Sequence, residues 1–554
     1  MEDKFSADNS FFHSDYSGKR ILIIAPHPDD EINIAAMSII NFARMGAEIF
    51  VAYSTSGDYE VSAEERLGEA TQALSLMGVD KNHIIVLGYP DTYQENCYFY
   101  SMEKAVPSPH GRTETYAPSG FVDYAKTYRG GHSLYARKYL REDLIHLLLE
   151  IKADIIFCVD LDCHLDHKAL SIVFEEAMGA ILREKGNTYQ PEVYKKFAYT
   201  CAWHNAPDFY ADNLLSVKKP QIGATPFYGR DIIGTSFYDW NQRVRFPVPM
   251  ECRGAFLDNN PVFAGICAHR SQHPYMQAKC IINSDEVFFQ RRTDSLSYQA
   301  NVTASSGDAS KVNDFQLLNL TDIHSMVPKW EDYLWLPDKK DKEKKLTFKW
   351  DEPQNVAQIR LWGNIDGGSI KEVEIGFDNG HIEKCGSLPH NGKPLDVSFP
   401  LQKNVKEIAI KIIKCKGDNC GFAEVEIFSD VLPEYTIRPF IKLTVNDDFV
   451  YVYKRRKNER IFNLGVYGFK FDSEVNVQIL NGKARIEKGK LEILGDEDVV
   501  LQIQTSDGEI YDRVIFRVYD DDYFNELRTA QVIEQKYHGL FKQFEDYIEK
   551  SKIR

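Results

Sequence analysis

The sequence predicts a multidomain protein in which an α/β domain with a parallel sheet precedes two all-β sandwich domains and a C-terminal helix. In the N-terminal part, short apolar runs alternate with stretches of helical periodicity, which is typical of a doubly wound sheet. From about Tyr298 the helical periods disappear, and short strands recur between Gly, Asn and Asp turns, as in antiparallel sandwiches. A chain of 554 residues is also too long for a single hydrophobic core.

The α/β domain opens with strand, helix, strand, helix and strand in succession. The first strand is a β-branched apolar run, 21–25, which suits a strand that is buried on both faces. Glu64 and Glu65 begin the second helix, where the helix dipole favours acidic side chains. This order predicts right-handed connections. The predicted strands are 21–25, 48–54, 83–87, 154–159 and 197–201, and the helices are 32–44, 62–77, 134–151 and one that ends near 183.

Composition excludes several classes of protein. The net charge of -16 disfavours general binding to nucleic acids or to anionic membranes, whereas a neutral polar substrate is compatible with it. Ten irregularly spaced cysteines imply no disulfide framework. Residues 1–17 lack the apolar core of a signal peptide, and no apolar run approaches the length of a membrane span. We therefore expect a cytoplasmic protein with no nucleic-acid partner and no transmembrane segment.

Ionisable side chains are crowded where the first strand ends. Residues 26–31 read Pro-His-Pro-Asp-Asp-Glu, and the two prolines stop the strand before a helical pattern begins. In an open α/β sheet, ligands bind in the crevice at the carboxyl ends of the strands. Packing does not explain His27 beside three carboxylates, because like charges repel and each must be desolvated. A divalent cation would resolve this conflict.

A second ionisable cluster follows the strand 154–159. Its turn contains His164, Asp166 and His167, and adjacent parallel strands would bring both clusters to one edge of the sheet. Together His27, Asp30 and His167 supply three ligands and leave one position for water, as in catalytic Zn2+ sites. The same set fits a two-His-one-carboxylate Fe2+ site. The alternative is that His164 and His167 form an ordinary turn and that His27 is a capping residue.

The remaining groups in the two clusters suit the hydrolysis of an amide. Asp29 is a candidate general base beside a metal-bound water, whose pKa the metal lowers to about 7. His164 is placed to stabilise an oxyanion or to protonate a leaving amine. Asp166 is either a carboxylate that orients a metal-bound imidazole or the N-cap of the following helix.

Residues 26–31 together with the His-Leu-Asp-His run 164–167 resemble the PIG-L/LmbE-like zinc N-deacetylases. The resemblance covers about residues 18–285, with both motifs in the expected order. It implies a Rossmann-like fold that removes an acetyl group from an N-acetyl sugar. In that family pattern His27, Asp30 and His167 would hold zinc, Asp29 would be the base, and His164 would stabilise the transition state.

The resemblance also implies residues that contact or support the substrate site. Arg66 and Glu69 match a pair on a family helix that reaches substrate, although such a pair can equally be a surface ion pair. Asp91 resembles an aspartate that binds sugar hydroxyls. His269 begins a His-Arg-Ser-Gln run that is similar to a family motif whose histidine supports the site. A basic residue usually found about seven positions earlier is replaced by Val262.

The C-terminal half carries weaker resemblances. The segment 298–430 resembles a discoidin (coagulation-factor type C) jelly roll through its runs 301–306 and 421–428, and this likeness implies a possible glycan ligand. The segment after it is immunoglobulin-like only in general pattern. The predicted units are an N-terminal extension 1–17, a deacetylase domain 18–297, the discoidin-like domain 298–430, an immunoglobulin-like sandwich 431–519 and an amphipathic helix 520–554.

These observations lead to one principal hypothesis about function. We expect a metal-dependent hydrolase that removes the N-acetyl group from an N-acetylglucosamine-type sugar in a glycoconjugate or polysaccharide precursor, by attack of a metal-activated water. One alternative is a carbohydrate-binding or scaffold protein with an inactive deacetylase domain, and another is an amidase for a different acylated small molecule. The intact set of candidate site residues argues against an inactive domain. The long Tyr-, Pro- and Gly-rich segment 93–132 is expected to cover the substrate.

Overall fold

The structure of the protein is a computed structural model. It describes residues 16–91, 98–161, 164–198, 244–246, 249, 252, 260–272, 286–318, 333–364, 368–389, 393–431, 442–446, 448–449, 452–467, 475–505 and 511–525. Three units follow one another along the chain: an α/β unit and two antiparallel β units. This arrangement confirms the predicted fold class.

The sheet of the α/β unit has its first strand at the centre of the parallel part. Its strand order is β3-β2-β1-β4-β5-β7-β6. The first five strands are parallel, and the last two are antiparallel to their neighbours. All residues of the first strand except Arg20 are buried, as its apolar run predicts. The strands are β1 (Arg20–Ala25), β2 (Glu48–Thr55), β3 (Ile84–Tyr89), β4 (Ile155–Val159), β5 (Glu192–Lys196), β6 (Val244–Phe246) and β7 (Glu286–Arg291).

Among the described residues, six helices pack on this sheet or connect its strands, and several begin at polar capping residues. The Ser62 side chain accepts from the Glu65 N–H, and Asn260 accepts from two N–H groups of the helix that Pro261 opens. None of the described helices combines the length and hydrophobicity that a bilayer span requires. The helices are α1 (Asp30–Arg44), α2 (Ala63–Leu76), α3 (Tyr124–Arg129), α4 (Arg137–Ile151), α5 (Leu165–Arg183) and α6 (Pro261–Ala268).

The strand predicted at 197–201 is wrong: β5 lies five residues earlier, and 199–201 fall outside the described residues. The sequence does not mark this strand as buried, because two of its residues are lysines, which are usually exposed. Lys195 is buried, and its ammonium group donates to Ser171 Oγ at 2.7 Å and to Glu175 Oε1 at 3.0 Å. A paired charge is therefore accommodated in a strand that its composition does not mark as buried.

The second unit is an antiparallel sheet with strand order β11-β10-β12-β9-β13, and β8 pairs with β9. The sequence predicts four shorter strands here, 345–350, 356–362, 395–399 and 405–412, because polar stretches near 351–355 and 400–404 interrupt the two longest strands. In the structure both strands continue through these stretches, and their pairing shifts register there. The strands are β8 (Asn301–Ala304), β9 (Lys345–Trp362), β10 (Ser369–Phe377), β11 (Ile382–Cys385), β12 (Pro394–Lys416) and β13 (Glu424–Phe428).

The third unit consists of two sheets around a shared core that includes Leu443, Phe462, Leu501 and Phe516. The strands are β14 (Lys442–Val445), β15 (Asp448–Phe449), β16 (Val452–Arg455), β17 (Ile461–Tyr467), β18 (Val475–Asn481), β19 (Ala484–Glu487), β20 (Lys490–Ile493), β21 (Val499–Thr505) and β22 (Tyr511–Val518). Of the predicted C-terminal helix, residues 521–525 are helical, and 526–554 fall outside the described residues.

The α/β unit and the second unit touch along α5. Gly179 on this helix faces the backbone of Asp314, and a Cβ added there would lie 1.9 Å from the Asp314 carbonyl oxygen. Near the end of the helix, Gln299 Nε2 donates to the carbonyl oxygens of Leu182 and Glu184 at 2.5 and 3.0 Å. At the N-terminal side, Tyr16 from the predicted extension is already buried against Phe42. The predicted domain boundaries remain predictions.

The contact at Gly179 can be tested by substitution. Gly179→Ala should destabilise the protein by about 1–3 kcal/mol, because the added methyl group overlaps the Asp314 backbone. Helix propensity alone predicts the opposite sign. The matched control is Gly68→Ala on α2, where no atom lies within 4 Å of the added Cβ, and it should stabilise by about 0.5–1 kcal/mol. Urea unfolding measures both; stabilisation by Gly179→Ala would contradict this packing.

Candidate active site

The first group of site residues lies at the junction between β1 and α1. The strand ends at Ala25, and the helix begins at Asp30, so His27 and Asp30 face one another across a single turn. His27 Nδ1 lies 2.9 Å from Asp30 Oδ2, and both side chains are buried. Between them Asp29 has φ of 147°, a conformation that non-glycine residues rarely adopt. The turn is therefore held in shape by its surroundings.

The second group lies at the junction between β4 and α5. Since β1 pairs with β4, the two junctions lie side by side at the carboxyl edge of the sheet. His164 is the N-cap of α5, and its Nδ1 accepts from the Asp166 N–H at 3.2 Å. The N-cap alternative for Asp166 is therefore wrong, because His164 occupies that position. His167 follows in the first turn of the helix and is completely buried.

The structure brings the three predicted metal ligands together. His167 Nε2 lies 3.1 Å from Asp30 Oδ2 and 3.3 Å from His27 Nδ1. Tetrahedral bonds of about 2.0–2.2 Å would place ligand atoms roughly 3.3–3.6 Å apart, so small outward shifts would admit a metal ion. The other oxygen, Asp30 Oδ1, is buried and has no hydrogen-bond partner among the described residues. This donor set fits a metal ion.

The electrostatics of the centre also favour a cation. Burial alone would lower the pKa of His27, but the carboxylates around it overcome this effect and raise that pKa to about 10. Burial alone would raise the pKa of Asp30, but the two imidazoles hold it well below its usual range. The centre therefore stabilises positive charge between its nitrogen and oxygen atoms, which a divalent cation would supply.

Two carboxylates lie at the opposite edge of the His27 ring. His27 Nε2 is 3.2 Å from Asp166 Oδ2 and 3.7 Å from Asp91 Oδ1. When Nδ1 ligates a metal, Nε2 carries the proton and donates it to such a carboxylate, which orients the ring. Asp166 and Asp91 both reach this edge of the ring, and the orienting role of Asp166 remains a prediction. Two other groups of three side chains also bring potential metal-donor atoms close together. They are His27 with Asp91 and Asp166, and His27 with His164 and His167.

Asp29 lies outside the three-atom donor set and is paired with Arg66. Arg66 Nη2 lies 3.0 Å from Asp29 Oδ1, and Arg66 Nη1 lies 3.2 Å from Asp91 Oδ2. Burial raises the pKa of Asp29 to about 6, although the Arg66 charge opposes the shift. A carboxyl group with this pKa can both accept and return a proton near neutral pH.

Arg66 and Glu69, which the sequence predicts as a substrate-binding pair on α2, contact different parts of the protein. Arg66 also donates to the carbonyl oxygens of Gly57 and Pro28, so its guanidinium group is already engaged by the protein. Glu69 points to another element, where its two oxygens accept from the N–H and hydroxyl of Ser271 at 2.9 and 2.7 Å. The structure therefore does not bring Glu69 to the metal ligands. Substrate contact by Arg66, Glu69 and Asp91 remains a prediction.

His269 reaches the centre through a residue that sequence analysis left without a role. Its Nε2 lies 2.6 Å from Glu31 Oε1, and both side chains are fully buried. Glu31 Oε2 in turn accepts from the Asp29 N–H at 2.9 Å. The feature of the sequence that could have revealed this role of Glu31 is that the 26–31 run has a third acidic residue, which a three-ligand metal site does not require.

Part of the predicted covering segment lies over the ends of β2 and β3. Tyr116 donates its hydroxyl proton to Asp58 Oδ2 at 2.7 Å, and the Ser56 hydroxyl donates to the Tyr116 carbonyl oxygen at 3.2 Å. Gly88 allows this approach, since a Cβ there would lie 2.3 Å from the same carbonyl oxygen. Asp58 and Tyr116 were not singled out in the sequence, and residues 92–97 fall outside the described part of the segment.

The metal centre predicts the behaviour of two variants. His167→Ala and Asp30→Ala should each lower metal affinity by more than about 100-fold, beyond the effect of losing an outer partner. The matched control is His146→Ala, since this half-exposed histidine lies on α4. Metal content after dialysis, measured by mass spectrometry, should be about one ion per chain for wild type and control. Retention of that content by His167→Ala would contradict the assignment.

Comparison with known proteins agrees with this geometry. Residues 22–178 match the family model described as "PIG-L: GlcNAc-PI de-N-acetylase". A segment of 77 residues is 29% identical to N-acetylglucosaminyl-phosphatidylinositol de-N-acetylase of Bos taurus; it covers 13% of this chain and 30% of that relative. Residues 295–428 match a domain of unknown function, DUF7402.

Solved structures resemble separate parts of the chain. N,N'-diacetylchitobiose deacetylase from Pyrococcus horikoshii has a TM-score of 0.22 and 20% identity, over 32% of this chain and 60% of that one. The family 32 CBM from C. perfringens NanJ has a TM-score of 0.18 and 18% identity, over 23% of this chain and 92% of that one. From the family match and the residues described above, the α/β unit of this chain contains a PIG-L de-N-acetylase domain.

Proposed function

We propose that this protein is a zinc-dependent hydrolase that removes the N-acetyl group from an N-acetylglucosamine-type sugar in a glycoconjugate or polysaccharide precursor. The observation that carries the proposal is the meeting of His27 Nδ1, Asp30 Oδ2 and His167 Nε2 within 3.3 Å of one another. The PIG-L match over 22–178 and the name of the bovine relative support this substrate class. Two nitrogen ligands and one carboxylate suit zinc, although Fe2+ accepts the same set.

In this proposal, His27, Asp30 and His167 would hold the metal. A bound Zn2+ would supply Lewis acidity, which polarises an amide carbonyl and lowers the pKa of a bound water to about 7. The Asp166 carboxylate, 3.2 Å from His27 Nε2, keeps the His27 ring in the tautomer whose Nδ1 is an acceptor. The protein thus fixes the ligand geometry before any substrate enters.

Asp29 acts as the general base. Arg66 holds its Oδ1 at 3.0 Å, so Oδ2 is the oxygen that accepts a proton from the attacking water. The same carboxyl group then returns the proton to the departing amine of the sugar.

His164 stabilises negative charge that develops on the amide oxygen. Its Nδ1 accepts from the Asp166 N–H, so its proton lies on Nε2, and Nε2 is the atom that we propose donates to the amide oxygen. Burial, followed by the charges of His167 and His27, holds the pKa of His164 well below its usual range. A neutral imidazole is a hydrogen-bond donor here and does not add a second positive charge to the centre.

The second unit extends the proposal to larger substrates. We propose that the discoidin-like segment 298–430 contacts a glycan, so that the protein acts on a sugar carried by a polymer or lipid. Support comes from the discoidin-like sequence pattern and from the contact of this unit with α5, the helix whose first turn carries His167.

The base assignment predicts a separation of binding from chemistry. Asp29→Asn should keep the metal and lower kcat for acetate release about 100- to 10,000-fold, because the amide cannot accept the proton. The control is Asp80→Asn, since Asp80 only caps the turn 81–83 before β3 and asparagine caps equally well. Wild-type rates of acetate release from Asp29→Asn would show that another group is the base.

The substrate class is tested by measuring acetate release from a panel of N-acetylated sugars, glycans and amino acids. The proposal expects the fastest release from N-acetylglucosamine-containing compounds. Release only from acylated amino acids would favour the general amidase alternative. Tight glycan binding with no release by the metal-loaded protein would favour the scaffold alternative.

A further inference from the structure

Two different elements hold the two sides of Asp29. On the backbone side, Glu31 Oε2 accepts from the Asp29 N–H at 2.9 Å. On the side-chain side, Arg66 Nη2 donates to Asp29 Oδ1 at 3.0 Å. The φ of 147° at Asp29 is unfavourable for an L residue, so it persists only while the surroundings enforce it.

The Glu31 carboxylate is itself fixed by His269. Nε2 of this histidine lies 2.6 Å from Glu31 Oε1, and neither side chain is exposed. Separating such a buried pair would leave an unpaired charge, which is strongly unfavourable. The pair therefore gives Glu31 one orientation, with Oε2 directed at the Asp29 N–H.

The turn that carries His269 is locked to the helix that carries Arg66. Glu69 lies one turn after Arg66 on α2, and it binds the Ser271 N–H and hydroxyl at 2.9 and 2.7 Å. The Gln272 N–H donates to the His269 carbonyl oxygen at 3.2 Å, which closes the short turn. The contacts thus form a closed loop, which runs through Asp29, Glu31, His269, Ser271, Glu69 and Arg66.

We propose that Glu31, His269, Ser271 and Glu69 are positioning residues that hold the strained backbone of Asp29 and thereby aim its carboxyl group. The proposal rests on the proposed role of Asp29 as the base. It assigns Glu69 to a lock between α2 and the 269–272 turn, in place of substrate contact. It also explains why a third acidic residue follows the two aspartates in a centre whose metal needs only one of them.

The test compares two substitutions of Glu31 in the full-length, metal-loaded protein. Glu31→Gln keeps an oxygen that accepts from the Asp29 N–H, whereas Glu31→Met has similar length and no such acceptor. Glu31→Met should lower kcat for a small N-acetylglucosaminide about 10- to 100-fold, with KM and metal content unchanged, and Glu31→Gln should stay within about threefold. Equal losses in both variants, or loss of metal from either, would overturn the proposal.

A second readout does not depend on activity. Hydrogen exchange of the peptide that contains Asp29 should be faster in Glu31→Met than in wild type and unchanged in Glu31→Gln. Identical exchange in all three proteins would overturn the proposal. If wild type releases no acetate from any glycan, the proposed function fails, and the exchange data still decide whether Glu31 holds Asp29.

A milder variant tests the lock without removing a buried charge. Ser271→Ala removes the hydroxyl bond to Glu69 and should lower kcat about three- to tenfold while the midpoint of thermal unfolding changes little. The matched control is Glu64→Gln, an exposed acidic residue in the first turn of the same helix, which should leave kcat unchanged. Wild-type kcat in Ser271→Ala would show that the lock does not position Asp29.

Discussion

One carboxylate oxygen, Asp30 Oδ2, lies 2.9 Å from His27 Nδ1 and 3.1 Å from His167 Nε2, and the organisation of the centre depends on this meeting. The two histidines belong to separate strand ends and are 140 residues apart in sequence. Burying a carboxylate without a counter-charge is strongly unfavourable, so the fold must bring positive charge to this oxygen. A divalent cation, or a protonated imidazole in its place, satisfies the same requirement. The electrostatics of the centre therefore follow from the topology of the sheet.

The same topology connects the centre to the rest of the molecule through α5. Its first turn carries His167, and further along Gly179 allows the Asp314 backbone of the second unit to approach. The second unit therefore packs directly against the helix that carries one of the candidate metal ligands.

The sequence predicted the features that follow from local pattern. The run 21–25 marked the central strand. The turn after this strand and the turn after 154–159 placed His27, Asp30 and His167 at one edge of the sheet, where the structure brings them together. Contacts between side chains that no sequence motif links were not predictable. Strand β5 was misplaced because Lys195 is neutralised by an acidic residue on α5, which the sequence does not reveal. The polar stretches at the register shifts of β9 and β12 were mistaken for strand ends. The resemblance implied a supporting role for His269, but nothing in the sequence pairs this histidine with Glu31, which lies 238 residues away.

Anomalous X-ray diffraction from zinc-loaded crystals would locate the ion independently of activity. We expect one anomalous peak at about 2.0–2.2 Å from His27 Nδ1, Asp30 Oδ2 and His167 Nε2. A peak on the other edge of the His27 ring, between Asp91 and Asp166, would contradict this expectation. So would a zinc-loaded crystal in which these three atoms share no peak.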